Sequence, residues 1–190
     1  MQKIGLFLFN HDLRMDDNAA LLQAATEVDK LICLYCVETA SGGWQQPAKL
    51  SPRRREFLFE ALEDLDSQLS QYGQKLIVRM QSPLEAIAQL ITVHNVSHLY
   101  NSNHVGSHEK RIWSTLSKRY SMLQFTQSHT HTLFDPSQLP FSIDQLPESF
   151  SKFRKLVEKM DLDAVISAPL DAPTRLPPPA LVADMAWQPV

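Results

Sequence analysis

The sequence predicts an α/β domain: a doubly wound, five-stranded parallel sheet in the order 3-2-1-4-5, with helices on both faces. Short apolar runs alternate with stretches whose apolar residues recur at helical spacing. The first two runs, residues 4–9 (IGLFLF) and 31–37 (LICLYCV), are continuously apolar, as strands buried on both faces must be. Repeated β-α units imply parallel strands joined by right-handed crossovers, which puts helices on both sides of one sheet.

The elements follow in order. Strand one stops at Asn10-His11-Asp12-Leu13-Arg14-Met15-Asp16-Asp17-Asn18, a polar cluster at the carboxyl edge of the sheet, where open α/β sheets bind ligands. Asn18 is placed to cap a helix over 19–26. Within the turn, Arg14 is expected to be held by a carboxylate, Asp12 or Asp17, in a structural rather than catalytic role. Strand two spans 31–37, and Cys33 and Cys36, three apart in it, must point to opposite faces. They read as buried small hydrophobes, not as a disulfide or a redox pair.

Gly42-Gly43 and Pro47 mark a loop, after which Ser51-Pro52 opens a helix carrying Leu58, Leu62, Leu65 and Leu69. Gly73 is its carboxyl-terminal cap. Strand three is 76–78. Ser82-Pro83-Leu84-Glu85 is a capping box before a helix with Leu84, Ile87, Ala88 and Ile91 on one face. Strand four is 97–100. Gly106-Ser107 leads into a helix with Ile112, Trp113 and Leu116, and strand five is 122–126. The switch point of a 3-2-1-4-5 sheet then lies between strands one and four, in a crevice floored by 9–14 and 100–106.

Past residue 127 the repeat ends. Ser149 can cap a short helix near 149–159 with Phe150, Phe153, Leu156 and Val157, and prolines then accumulate in an extended, weakly ordered segment. The organisation read from this is an α/β domain over 1–133 and a linker segment over 134–190.

Composition narrows the function. The 190 residues are 44% hydrophobic and 21% charged, with net charge -3, so no basic footprint for nucleic acid is present. No apolar stretch has the length to cross a bilayer, and no signal peptide opens the chain, which reads as cytoplasmic. With five glycines, at 5, 42, 43, 73 and 106, the chain has no dinucleotide fingerprint, P-loop or nucleophile elbow. His104-x-x-x-His108 and His129-x-His131 have the spacing of metal pairs, but no nearby Cys or acidic cluster completes an obvious ligand set, so they read as solvated or hydrogen-bonded loop histidines and no metal is expected. Arg53-Arg54-Arg55 reads as the solvated first turns of a helix.

Two separated motifs carry a resemblance. Phe9-x-x-Asp12-Leu13-Arg14-x-x-Asp17-Asn18 resembles the opening of the photolyase/cryptochrome family. Thr132-Leu133-Phe134, Leu139-Pro140-Phe141 and Leu146-Pro147-x-x-Phe150-x-x-Phe153-Arg154-Lys155-x-Val157-Glu158 resemble the segment after the α/β domain in cryptochrome-DASH proteins. Arg53-Arg54-Arg55-x-Phe57-Leu58 and Leu99-Tyr100-Asn101 fit the family's second helix and fourth strand.

The resemblance implies the amino-terminal antenna-chromophore domain of a deoxyribodipyrimidine photolyase or cryptochrome-DASH-like protein, harvesting light for FAD-dependent repair or signalling. In the family, FAD and DNA are bound by a helical domain that follows the linker. That domain would be this chain's partner, and the chain alone is expected to be inactive in repair. The implied antenna is a folate, methenyltetrahydrofolate, expected to bind weakly or not at all, because His104 stands where folate-binding relatives carry a carboxylate. Imidazole cannot offer two adjacent acceptors to a pterin. The candidate contacts are Cys36 and Glu38 after strand two, Arg54, and Asn101, Asn103 and His104 after strand four. The alternative reading, from fold analogy alone, is a stand-alone flavodoxin-like or universal-stress-type nucleotide-binding module; an interaction domain with an empty crevice is a third.

Overall fold

The computed structural model describes residues 2–38, 51–162 and 169–180. The predicted loop at Gly42, Gly43 and Pro47 lies outside the described residues, as does the end of the chain from 181. Five parallel strands, β1 (Ile4–Phe9), β2 (Lys30–Cys36), β3 (Leu76–Arg79), β4 (His98–Ser102) and β5 (Gln124–Ser128), form one sheet in the order β3-β2-β1-β4-β5. Four helices alternate with them: α1 (Ala19–Glu27), α2 (Pro52–Gln71), α3 (Pro83–His94) and α4 (Ser107–Arg119).

Alternation along each strand divides the core in two. On one face Phe7, Phe9, Leu31, Cys33, Leu76 and Val78 pack against α1 and against Leu62, Leu65 and Leu69 of α2. On the other, Leu6, Leu8, Ile32, Leu34, Ile77 and Leu99 meet Ala86, Ile87 and Leu90 of α3 and Ile112 and Leu116 of α4. Cys33 belongs to the first face and Cys36 to the second, as their spacing requires.

The helix ends obey local chemistry. Asn18 Oδ1 accepts the Leu21 amide at 3.1 Å, Ser51 Oγ the Arg54 amide at 3.4 Å and Ser149 Oγ the Lys152 amide at 3.4 Å. Gly73 follows α2 at φ +71°, the left-handed geometry that a glycine cap supplies freely. Three details differ from the sequence reading. Ser82 Oγ accepts from Leu84, not from Glu85, so the expected capping box is replaced by a tighter one-residue cap. The buried face of α3 is Pro83, Ala86, Ile87 and Leu90, with Leu84 and Ile91 at its flanks, because the helix beds between β3 and α4 one residue out of the expected phase. β5 starts two residues late, since Leu123 N closes a turn on Tyr120 O at 2.9 Å and leaves Met122 in solvent.

Beyond β5, two short 3-10 turns at Pro136–Gln138 and Ile143–Gln145 lead to α5 (Phe150–Val157). Residues 169–180 are extended, but they do not trail loosely. Leu31 N donates to Pro178 O at 3.1 Å, Leu176 is buried, and the buried Gln74 amide donates to Leu31 O at 3.2 Å and to Pro177 O. The segment thus continues the sheet on the β3 side of β2, where β3 has not yet begun.

Candidate functional site

The carboxyl edge of β1 and β4 is built around Asp12. Its side chain is buried and accepts from the Asn10 amide at 3.1 Å, from Ser102 Oγ at the end of β4, and from Asn18 Nδ2 at 3.5 Å. Arg14 pairs with one of the two expected carboxylates, Asp17 at 3.7 Å, and not with Asp12. Its guanidinium also donates to three carbonyls, Thr130 O at 2.8 Å, Asp17 O at 2.9 Å and Asp16 O at 3.2 Å. A planar fork suits converging carbonyls as well as it suits a carboxylate. Asp17 sits at φ +51°; its amide donates to Leu170 O at 2.7 Å and its Oδ1 accepts the Leu170 amide at 3.2 Å, tying the tail to the turn.

Three cavities open along this edge. One of about 170 Å³ lies between β1, β2 and β4 and is lined by Asn10, Cys36, Glu38, Asn101 and His108 among others. Across it His108 Nε2, from the first turn of α4, meets both carboxylate oxygens of Glu38 at 2.8 and 3.0 Å. A second, of about 250 Å³, is lined by Asn101, His104, Glu109, Trp113 and Gln127. There Asn101 Oδ1 accepts from Gln127 Nε2 at 2.9 Å. The third, about 380 Å³, is largely apolar and is bounded by Asn103, Val105, His131, Leu133, Ile143 and Phe153.

The candidate residues are therefore spread over one edge, not gathered in one pocket. Cys36, Glu38 and Asn101 share the first cavity, Asn101 and His104 the second, and Asn103 faces the third. Arg54 lines none of them and is exposed on the first turn of α2. The two histidine pairs weighed from spacing do not form. His104 precedes α4 and cannot share its face with His108, and His129 and His131 lie past the end of β5.

Their partners are instead long-range. The His131 ring meets that of His104 edge-on at 5.2 Å, and the His11 ring lies tilted against His104 at 4.7 Å. Glu109 faces both His104 and His11, the three offering ligand atoms within 4.8 Å of one another. Burial alone would raise the Glu109 carboxyl, but its own backbone amide and the imidazoles of His104, His108 and His11 hold it below the ordinary range. Burial lowers His131, and His104, Arg14 and His11 add to that against the opposing pull of Asp12. Glu109, His11 and His108 were not singled out as contacts in sequence, because only the turn geometry around Gly106 shows what they meet.

Among the described residues, no group on this edge forms a nucleophile–base pair. Cys36, the one thiol lining a cavity among the described residues, has its acidity suppressed by burial, with Glu38 adding and Arg79 opposing, so that it is pushed up to about 12. What the edge offers is a row of acceptors and imidazoles suited to binding.

Comparison with known proteins accounts for the arrangement. Residues 5–178 match the family model of DNA photolyase. Cryptochrome DASH of Vibrio parahaemolyticus is 39% identical over 180 residues, covering 93% of this chain and 40% of the relative. Cryptochrome DASH of Idiomarina loihiensis is 35% identical over 178 residues, covering 92% and 39%. The crystal structure of the Synechocystis sp. PCC6803 cryptochrome superposes with TM-score 0.85 at 28% identity, over 100% of this chain and 40% of that one. The chain thus spans about two fifths of the length of the relatives it matches, and its motifs, its strand order and this similarity agree: it belongs to the DNA photolyase family, as the amino-terminal α/β portion shared with cryptochrome DASH.

Proposed function

We propose that this chain is an antenna-type domain, residues 1–133, followed by a linker, residues 134–190, whose role is to position a light-absorbing chromophore for a helical FAD-binding domain of the same protein. The observation that carries the reading is the open switch-point edge, which provides cavities lined by hydrogen-bonding side chains. Energy transfer depends on position and orientation, not on acid–base chemistry, and such an edge is sufficient for it.

The same reading assigns Cys36, Glu38 and Asn101 to one side of a bound chromophore and Asn103 and His104 to the other, with Arg54 reaching it only by a change of side-chain position. The folate methenyltetrahydrofolate is the chromophore the site is measured against. Its binding is weak here, since His104 offers a single acceptor where a carboxylate would offer two.

A helical partner is supported by an apolar surface beside the linker. Val105, Leu133, Ile143 and Phe150 are exposed, and Phe153 is flanked by the rings of Phe141 at 5.7 Å and Phe150 at 6.3 Å. A contiguous exposed apolar patch of this kind marks an interaction surface. FAD and DNA would be engaged through that partner. No helix among the described residues is long and apolar enough to cross a membrane.

Titrating the purified chain with methenyltetrahydrofolate, followed by its near-ultraviolet band, and separately with ATP tests the reading. Weak but saturable binding of the folate, with no response to nucleotide, supports it. Tight binding of nucleotide with no response to folate would overturn it in favour of a nucleotide-binding module.

A further inference from the structure

We propose that His11, His104 and Glu109 form a binding site for a divalent transition-metal cation of the zinc class at the switch point of the sheet.

The three side chains come from separate places, the turn after β1, the turn after β4 and the first turn of α4, and converge within 4.8 Å of one another. Each oxygen of Glu109 faces one imidazole: Oε1 lies 3.8 Å from His11 Nε2 and Oε2 lies 3.4 Å from His104 Nδ1. Ligands held about 2.0–2.1 Å from a tetrahedral zinc are separated from each other by about 3.4 Å, so small side-chain rotations bring this set to bonding distance. Two imidazoles and one carboxylate are a ligand set that zinc and its neighbours in the first transition row accept, with the remaining position left to water. Solvent can reach it, as the His11 side chain is 64% exposed.

The contact between His104 and Glu109 points to a cation more directly. His104 Nδ1 accepts the Gly106 amide at 3.0 Å, so its one lone pair is engaged by that amide. It stands 3.4 Å from a Glu109 oxygen, and a cation that takes the lone pair over from the amide converts this contact between two acceptors into attraction. Gly106 is what permits the approach. A Cβ built there would stand 2.0 Å from Glu109 Oε2 and 2.9 Å from His104 Nδ1, although the backbone is in a region open to any residue. The missing side chain therefore serves the cradle and not the turn.

The test is titration of the chelator-treated chain with Co2+, read by its visible absorption, and competition by Zn2+. The expected result is saturable uptake of one ion per chain, displaced by zinc. It should be weakened about tenfold or more by His11→Ala, by Glu109→Gln and by Gly106→Ala, while His129→Ala leaves it unchanged. His11 is exposed, so H11A reads the site without endangering the fold, which circular dichroism checks for each variant. Absence of saturable uptake, or uptake indifferent to H11A and E109Q, would overturn the site. The outcome is independent of folate binding, because the probe is the metal alone.

Discussion

Asp12 and Ser102 stand 90 residues apart in the chain and are hydrogen-bonded in its interior, both side chains buried. The bond joins the turn after β1 to the last residue of β4 across the switch point, which fixes the floor of the crevice.

Removing its carboxylate should be costly. Asp12→Ala strands the Ser102 hydroxyl and the Asn10 amide, and the charged hydrogen bonds lost are worth about 2–3 kcal/mol together after relaxation. For a chain of this size that lowers Tm by roughly 5–10 °C. An unchanged melting temperature would show that the junction does not hold the turn.

Arg14 should behave as a clamp on backbone carbonyls. Arg14→Ala is expected to destabilise by about 1–2 kcal/mol, and Arg14→Lys should recover little, because one ammonium cannot reach Asp16, Asp17 and Thr130 at once. Full recovery by lysine in chemical denaturation would mean that charge, not the fork, matters.

Alkaline pH should destabilise the fold. Burial pushes the thiols of Cys33 and Cys36 up to about 12 from a usual value of 9.0, and the Tyr35 hydroxyl to about 12 from 10.0. The unfolded chain releases these protons first, so it binds fewer of them, and stability falls as pH rises from about 9 toward 12. Urea denaturation should show this decline, and Cys33→Ala should flatten it. A stability that is level across that window would contradict the burial assigned to these groups.

The strands and the parallel order were legible because they rest on continuous apolar runs, such as Leu6–Phe7–Leu8, which only a doubly covered sheet explains. The caps at Asn18, Ser51 and Ser149 were legible for a local reason, one side chain meeting one amide three residues on. The phase of α3 was not, since Leu84 and Leu90 are equally apolar and only packing against β3 and α4 chooses between them. Nor was the grip of Arg14 on backbone carbonyls, because these leave no mark in a sequence. Within the candidate site, Cys36, Glu38 and Asn101 could be placed together from strand ends alone. The pairing of Glu38 with His108, and of Glu109 with His104 and His11, depends on how the turn at Gly106 aims the start of α4, which no spacing rule states.

The chain alone should not repair pyrimidine dimers under blue light, with or without added FAD. Its net charge is -3, and the usual electrostatic footprint for DNA is a basic patch or stripe. Light-dependent loss of dimers from a damaged oligonucleotide, in a preparation of this chain free of other photolyases, would contradict the assignment of repair to a separate helical domain.

Titration with methenyltetrahydrofolate, followed by its near-ultraviolet band in the native chain and in His104→Glu, tests the antenna reading most directly. The account predicts weak binding by the native chain and a gain of about tenfold in the variant. That is about 1.4 kcal/mol, near the lower bound for a charge-assisted hydrogen bond, since the new carboxylate must tolerate Glu109 beside it. Micromolar binding by the native chain with no gain in the variant would contradict it.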